Sequence, residues 1–202
     1  MKLLIIRHGE SGADILEVHE GRADFELTER GHRQAEAMAE YVRGQYQISG
    51  IYCSTLKRAM QTAEHLSEKT GVPVTFDEKL MEFNNGLLAG LTREEADEKY
   101  PKIDDLPIHA SAYGMESQLE FRFRAEYVLS KIISENREKA DSTIAVITHG
   151  GMIRQLYSAF LGMPIENSCY FVTGDTGIHC WYVDGTEKYI LTANYLGHVK
   201  GL

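Results

Sequence analysis

The sequence predicts an α/β sandwich, a three-layer α/β/α arrangement in which a mainly parallel sheet with an antiparallel edge carries helices on both faces. Three observations predict it. The apolar runs Leu3 to Ile6 and Thr143 to Thr148 each stop just before a glycine, as strands buried on both faces do. Apolar residues at helical spacing follow both runs, directly through Met152, Leu156 and Phe160 in the second case and after a polar loop in the first. Near the end, the runs Ile178 to Val183 and Tyr189 to Ala193 flank the turn Val183-Asp184-Gly185-Thr186, which reads as a hairpin.

The remaining elements follow in order. The first strand should end near Arg7-His8-Gly9, and a polar loop should run on to Leu27. Thr28 then caps a helix with Ala35, Met38, Ala39 and Val42 on one face. Ser49 to Cys53 reads as a strand, and Ser54 as the cap of a helix that carries Leu56, Ala59, Met60, Ala63 and Leu66 on one face and closes at Gly71 and Pro73. Val74 to Phe76 is another short strand. Thr92 and Glu95 form a capping box for a helix ending before Pro101, and an irregular stretch runs to about Gly114. Ser117 to about Arg137 reads as a long helix with Leu119, Phe123, Val128, Ile132 and Ile133 as its apolar side. No repeat or linker divides the chain, so one domain over 1–202 is expected.

At 202 residues, 43% hydrophobic and 25% charged, the chain has the composition of a globular protein and not of a disordered or fibrous one. Its 21 basic against 30 acidic residues leave a net charge of −9, a field that repels nucleic-acid backbones and anionic lipid. Nucleic acid and membrane surfaces are therefore not expected as partners. The Met1 to Arg7 start is too short an apolar run for a signal peptide, and three cysteines without a CxxC pair fit reduced thiols, so a cytoplasmic protein is expected.

Three segments place a cation-capable residue where a strand gives way to a loop or helix: Arg7-His8, Arg58 after Cys53-Ser54, and His149. The carboxyl ends of strands line the ligand crevice of open α/β sheets, and helix N-termini favour anions, so phosphate is the natural occupant. Gly9, Gly150 and Gly151 would let backbone or substrate approach both histidines closely. The other histidines show neither His-x-His nor HExxH spacing, and Walker A and GxGxxG patterns are absent, so no metal, nucleotide or other cofactor is expected.

Read together, Arg7-His8-Gly9-Glu10, Leu27-Thr28-Glu29-Arg30-Gly31, Arg58-Ala59 with Thr62-Ala63, Glu82 ahead of Asn85-Gly86, Gly114-Met115-Glu116-Ser117 and Thr148-His149-Gly150-Gly151 resemble the histidine phosphatase superfamily, which also holds the phosphoglycerate mutases. The resemblance implies that His8 is a nucleophile forming a phosphohistidine, that Glu82 donates a proton to the leaving group, and that His149 completes the catalytic set. It implies substrate contacts from Arg7, Arg58, Gly9 and Gly150, with His8 kept neutral by like-charge repulsion from Arg7, Arg58 and a partly protonated His149. The two arginines are expected to hold phosphoryl oxygens through their planar forks. Arg22, Arg30, Arg122, Arg124 and Arg154 are expected on the surface or in helix ion pairs.

Two departures from the family pattern bear on substrate. Asp14 stands where an asparagine is common and would repel a dianion unless protonated or turned away, and Met81 stands where many relatives carry arginine. A small phosphorylated substrate with one phosphate and an apolar remainder fits that wall. The function expected is hydrolysis of a phosphomonoester. Mutase-type phosphoryl transfer is the alternative, and a non-catalytic phospholigand-binding module a third. A mutase needs a cover that keeps water from the phosphohistidine, for which only Tyr195 to Leu202 is at hand.

Overall fold

The computed structural model describes residues 1–137 and 142–202. In chain order the elements are β1 (Lys2–Arg7), α1 (Gly12–Leu16), α2 (Glu29–Gln45), β2 (Ile48–Cys53), α3 (Lys57–Thr70), β3 (Val74–Phe76), α4 (Arg93–Lys99), α5 (Gln118–Asn136), β4 (Thr143–Thr148), α6 (Gly150–Leu161), β5 (Ile178–Asp184) and β6 (Glu187–Tyr195). The strands form one six-stranded sheet in the order β3-β2-β4-β1-β5-β6. β3, β2, β4 and β1 are parallel, and the β5–β6 hairpin adds the antiparallel edge.

Leu3, Leu4, Ile5 and Ile6 are fully buried because β1 is central and helices cover both its faces. Each such side chain stabilises the fold by about 1.5–3 kcal/mol relative to exposure. Alternation sorts them. Leu3 and Ile5 join Ile144, Val146 and the apolar sides of α5 and α6, whereas Leu4 and Ile6 join Ala145, Ile147 and residues of α2 and α3. A period of two along each strand thus feeds two cores, one on each side of the sheet.

The register of the two central strands positions the site. β4 lies between β2 and β1, and Arg7 pairs with Thr148 while Cys53 pairs with Ile147. The residues that follow, His8, Ser54 and His149, therefore emerge side by side at one edge, where the strand order reverses.

Capping follows the sequence in most places. Thr28 accepts from Gly31 N–H, and Thr92 with Glu95 and Ser117 with Glu120 close capping boxes on α4 and α5. Three expectations need correction. α3 begins at Lys57 with Leu56 as its N-cap, and the Ser54 hydroxyl accepts from Leu56 N–H at 3.3 Å while meeting His149 at 2.7 Å. A short helix, α1, occupies part of the expected polar loop. On α5 the buried stripe is Phe121, Ala125, Val128, Leu129 and Ile132, with Leu119 and Phe123 exposed. That stripe keeps a steady i, i+4, i+7 spacing, which the two exposed residues break.

Arg122 and Arg124, expected on the surface or in helix ion pairs, are both buried, and Arg122 does make an i, i+4 ion pair with Glu126 at 2.8 Å. Arg122 also donates to the carbonyls of Ser158 and Met163 around the end of α6. Arg124 serves the loop that carries Glu82, described below.

Candidate functional site

The residues singled out from sequence at the strand ends do converge. The His8 and His149 rings lie 5.0 Å apart between centroids. Both are fully buried, as is Arg58. His8 Nδ1 is 2.7 Å from the Gly9 carbonyl, so Nδ1 carries the ring proton and Nε2 keeps a lone pair. Arg58 Nε–H donates to that lone pair at 3.2 Å. Burial is the first cause that holds the His8 pKa well below its ordinary value, with Arg58 and then Arg7 adding to it.

His149 is lowered in the same way, first by burial and then by Arg58 and His8. This corrects the expectation of a partly protonated His149 that repels His8: both rings are neutral, and dehydration outweighs charge. His149 caps α6, and its Nε2 meets the Ser54 hydroxyl at 2.7 Å. Its Nδ1, like Arg7 Nε, is buried without a hydrogen-bond partner among the described residues. Both nitrogens are unspent capacity in a cluster otherwise saturated.

The arginines are used differently from the expected forks. Arg58 spends both terminal nitrogens on backbone carbonyls, NH1 on Ala23 at 2.9 Å and NH2 on Gly21 at 2.8 Å, so only Nε faces His8. Arg7 donates to the Thr173 carbonyl at 3.2 Å and is flanked by Asp175 at 3.3 Å and Asp14 at 3.7 Å. Asp14 is turned toward helix capping as well: its Oδ2 accepts from Ser11 N–H at 2.8 Å.

The two glycines differ. A Cβ on Gly9 would meet the carbonyl of Gly31, and the Gly9 N–H donates to Thr62 Oγ1 at 3.1 Å, so Gly9 serves a close crossing of backbones. Gly150 opens α6 beside Arg7, and a Cβ there would make ordinary contacts with Thr173 and Arg7 Nε. Gly151 is the stricter position, because a Cβ would collide with the Glu82 carboxylate.

Glu82 reaches the same helix start. Its Oε2 accepts from Gly151 N–H at 2.8 Å and its Oε1 from Phe83 N–H at 2.7 Å. The loop is fixed from two sides. Thr148 Oγ1 donates to the Leu80 carbonyl at 2.6 Å, and Arg124 donates to the carbonyls of Lys79, Met81 and Glu82 while pairing with both oxygens of Glu116. Glu10, close to His8 in sequence, is held elsewhere by Thr28 at 2.6 Å and Arg30 at 2.9 Å.

Four contributors escaped the sequence reading: Arg124, Glu116, Asp175 and Glu20. Glu116 lay inside a quoted motif, which was the available signal. Glu20 stands closest to the chemistry, with Oε2 3.2 Å from Arg58 Nε and 3.7 Å from His8 Nε2.

Two open spaces adjoin the cluster. One, of about 820 Å³, is lined by Phe83, Phe121, Gly151, Arg154, Gln155 and Tyr170, and so borders Glu82. Arg154 stacks on Tyr170 at 4.0 Å there. The other, of about 600 Å³, runs past Asp14, Val18, Glu20, Thr92, Arg93 and Glu94.

Comparison with known proteins identifies the family and the fold. The family model described as the histidine phosphatase superfamily (branch 1) matches residues 3–195. The chain is 30% identical over 189 residues to a glucosyl-3-phosphoglycerate phosphatase of Mycolicibacterium vanbaalenii, covering 89% of this chain and 82% of the relative. It is 26% identical over 204 residues to phosphoserine phosphatase 1 of Hydrogenobacter thermophilus, covering 98% and 94%. Among solved structures, the mycobacterial glucosyl-3-phosphoglycerate phosphatase in complex with VO3 superposes with a TM-score of 0.84 at 28% identity, over 96% of this chain and 99% of that one.

Proposed function

The chain belongs to the histidine phosphatase superfamily, and from that premise we propose that it hydrolyses a small phosphomonoester through a phosphohistidine on His8, with no metal or other cofactor. One observation carries the reading: a buried, neutral imidazole whose Nδ1–H is tied to a carbonyl, leaving Nε2 as the only lone pair, with Arg58 Nε against it.

In the first step Nε2 attacks phosphorus, the P–O bond to the alcohol breaks, and Glu82 gives its proton to the departing oxygen. Arg58 Nε–H exchanges His8 for a phosphoryl oxygen as the lone pair is consumed. Arg7 and His149 meet the charge from the other sides, and the N-terminus of α6 adds its own partial charge. In the second step water attacks the phosphohistidine, Glu82 takes its proton, and inorganic phosphate leaves. Geometry of this kind needs no metal to balance the charge in flight, because fixed donors supply that role.

Hydrolysis is favoured over mutase-type transfer by the position of the C-terminal residues. Tyr195 stacks on Tyr41 at 4.7 Å and His198 meets Thr176 at 2.9 Å, so this segment packs along α2. No cover for the nucleophile is formed by it. The aromatic and cationic lining of the space beside Glu82, Phe83, Tyr170 and Arg154, supports a substrate whose alcohol is partly apolar and carries an anionic or hydroxyl-rich group for Arg154.

The test is turnover of p-nitrophenyl phosphate by the wild type and His8→Ala, with acid-labile, base-stable phosphate sought on quenched enzyme. Stoichiometric label that persists in His8→Ala would remove the assignment, and a panel of phosphorylated metabolites then ranks the alcohols.

A further inference from the structure

Glu20 occupies the one place where a carboxylate should obstruct the proposed reaction. Its Oε2 lies 3.2 Å from Arg58 Nε and 3.7 Å from His8 Nε2, and its Oε1 meets the Ser11 hydroxyl. A phosphorus atom attacked by Nε2 must approach to about 3–3.5 Å, which brings its oxygens against Glu20. An ionised carboxylate and a phosphoryl oxygen are both acceptors only, and with no proton between them they repel.

The surrounding charge sharpens the conflict. Arg58 faces Glu20 from α3, Arg7 from the end of β1 and His8 from just beyond it. Ser11 and Asp14 face it from the start of α1, and Glu17 with Arg93 and Glu94 of α4 line the groove beyond. Near the nucleophile Arg7 is already matched by Asp14 and Asp175, and Arg58 by Glu20. Two guanidinium charges thus stand against three carboxylates before any dianion arrives.

Accepting the phosphatase reading, on which this rests, we propose that Glu20 binds the phosphoryl group as a neutral carboxylic acid that donates a hydrogen bond to one of its oxygens, so that capture of a dianion takes up one proton at Glu20. The Ser11 hydroxyl continues to donate to the other carboxyl oxygen, so the acid stays oriented. Two arginines then face only two carboxylates, and at Glu20 the entering dianion meets a donor instead of a third. Burial already favours the protonated form of Glu20, against the opposing pull of Arg58. Glu20 thereby selects the pH range in which the site accepts phosphate esters. Burial holds the pKa of His8 and of His149 well below the ordinary value, and the Glu20→Gln comparison assigns the proton.

Sulfate is the probe, because it remains a dianion between about pH 5 and 8 and has no titration of its own to subtract. Calorimetry on the whole chain should give a wild-type affinity that falls about tenfold per pH unit once Glu20 ionises. In Glu20→Gln, whose amide donates at every pH, the affinity should stay nearly level and exceed the wild type at the alkaline end. Parallel wild-type and Glu20→Gln curves overturn the proposal. Ser11→Ala is an independent route, since losing the hydroxyl destabilises the carboxylate and should move the wild-type fall to higher pH. An unmoved curve counts against the proposal. Turnover of p-nitrophenyl phosphate and its loss in His8→Ala are measured alongside. If they fail, the phosphatase reading fails; if they hold while the sulfate curves run parallel, only the role of Glu20 does.

Discussion

Replacing Arg58 with lysine keeps the charge and removes the geometry. Arg58 is fully buried, and its three nitrogens point in three directions, at the carbonyls of Ala23 and Gly21 and at His8 with Glu20. A lysine ammonium can sit at one of these points and leaves the others open. A hydrogen bond from a charged group to a carbonyl contributes about 1.5–3 kcal/mol, and an acceptor left unpaired costs up to about that much again. Gly21 and Ala23 are only half-buried, so water reaches part of what is freed. A loss of about 2–4 kcal/mol in unfolding free energy follows for Arg58→Lys. If the ammonium settles on the carbonyls, Nε2 of His8 loses its donor, and withdrawing one such contact from a charge in flight lowers kcat about a hundredfold or more. Urea titration measures the first number, and kcat on p-nitrophenyl phosphate, taken where the variant is fully folded, measures the second. A variant with wild-type stability and near wild-type kcat would refute the argument that three directed nitrogens, and not one charge, are what this position supplies.

Four further outcomes are expected. Glu82→Gln should slow hydrolysis of alkyl phosphates far more than of p-nitrophenyl phosphate in the first chemical step, read by rapid quench, because only the poorer leaving group needs the proton; equal losses would send the search for the acid elsewhere. Gly151→Ala should lower kcat by about tenfold or more, since its Cβ displaces the Glu82 carboxylate, and wild-type turnover in that variant would show that the carboxylate position does not matter. Incubation with EDTA should leave turnover unchanged, and loss restored by a specific metal would contradict the metal-free chemistry. His179 is held neutral by burial with a pKa pushed down to about 4, below its unfolded value, so the unfolded chain takes up the proton first as pH falls. Stability should therefore drop from about pH 6.5 toward 4 with a slope of about 1.4 kcal/mol per pH unit from this residue. Glu20 and Asp175, raised by burial, pull the other way, so the comparison is with His179→Gln, whose slope in urea titrations should be shallower.

The sequence by itself determined the strands and most helices, because their signals are local. Leu3 to Ile6 and Thr143 to Thr148 can be satisfied only by burial on both faces, and Thr28, Thr92 and Ser117 cap the helices whose first turns they precede. That His8, His149, Arg58 and Glu82 come together was legible for a related reason: they stand in short motifs that follow the strands, in an order that resembles a family's. Tertiary structure decided everything that depends on which backbone lies opposite. The carbonyls of Gly21 and Ala23 turned the Arg58 fork away from the site, and those of Lys79, Met81 and Glu82 drew Arg124 into the interior. Neither side chain carries any mark of this in sequence, since a guanidinium is equally at home in water until carbonyls without partners compete for it. Burial likewise, more than any neighbouring charge, made both histidines neutral, and dehydration is a property of the packed molecule that no spacing of residues records. Glu20 reached His8 for the same reason: the loop after α1 is pinned by contacts from α3, and its path is written in the partner helix as much as in the loop itself.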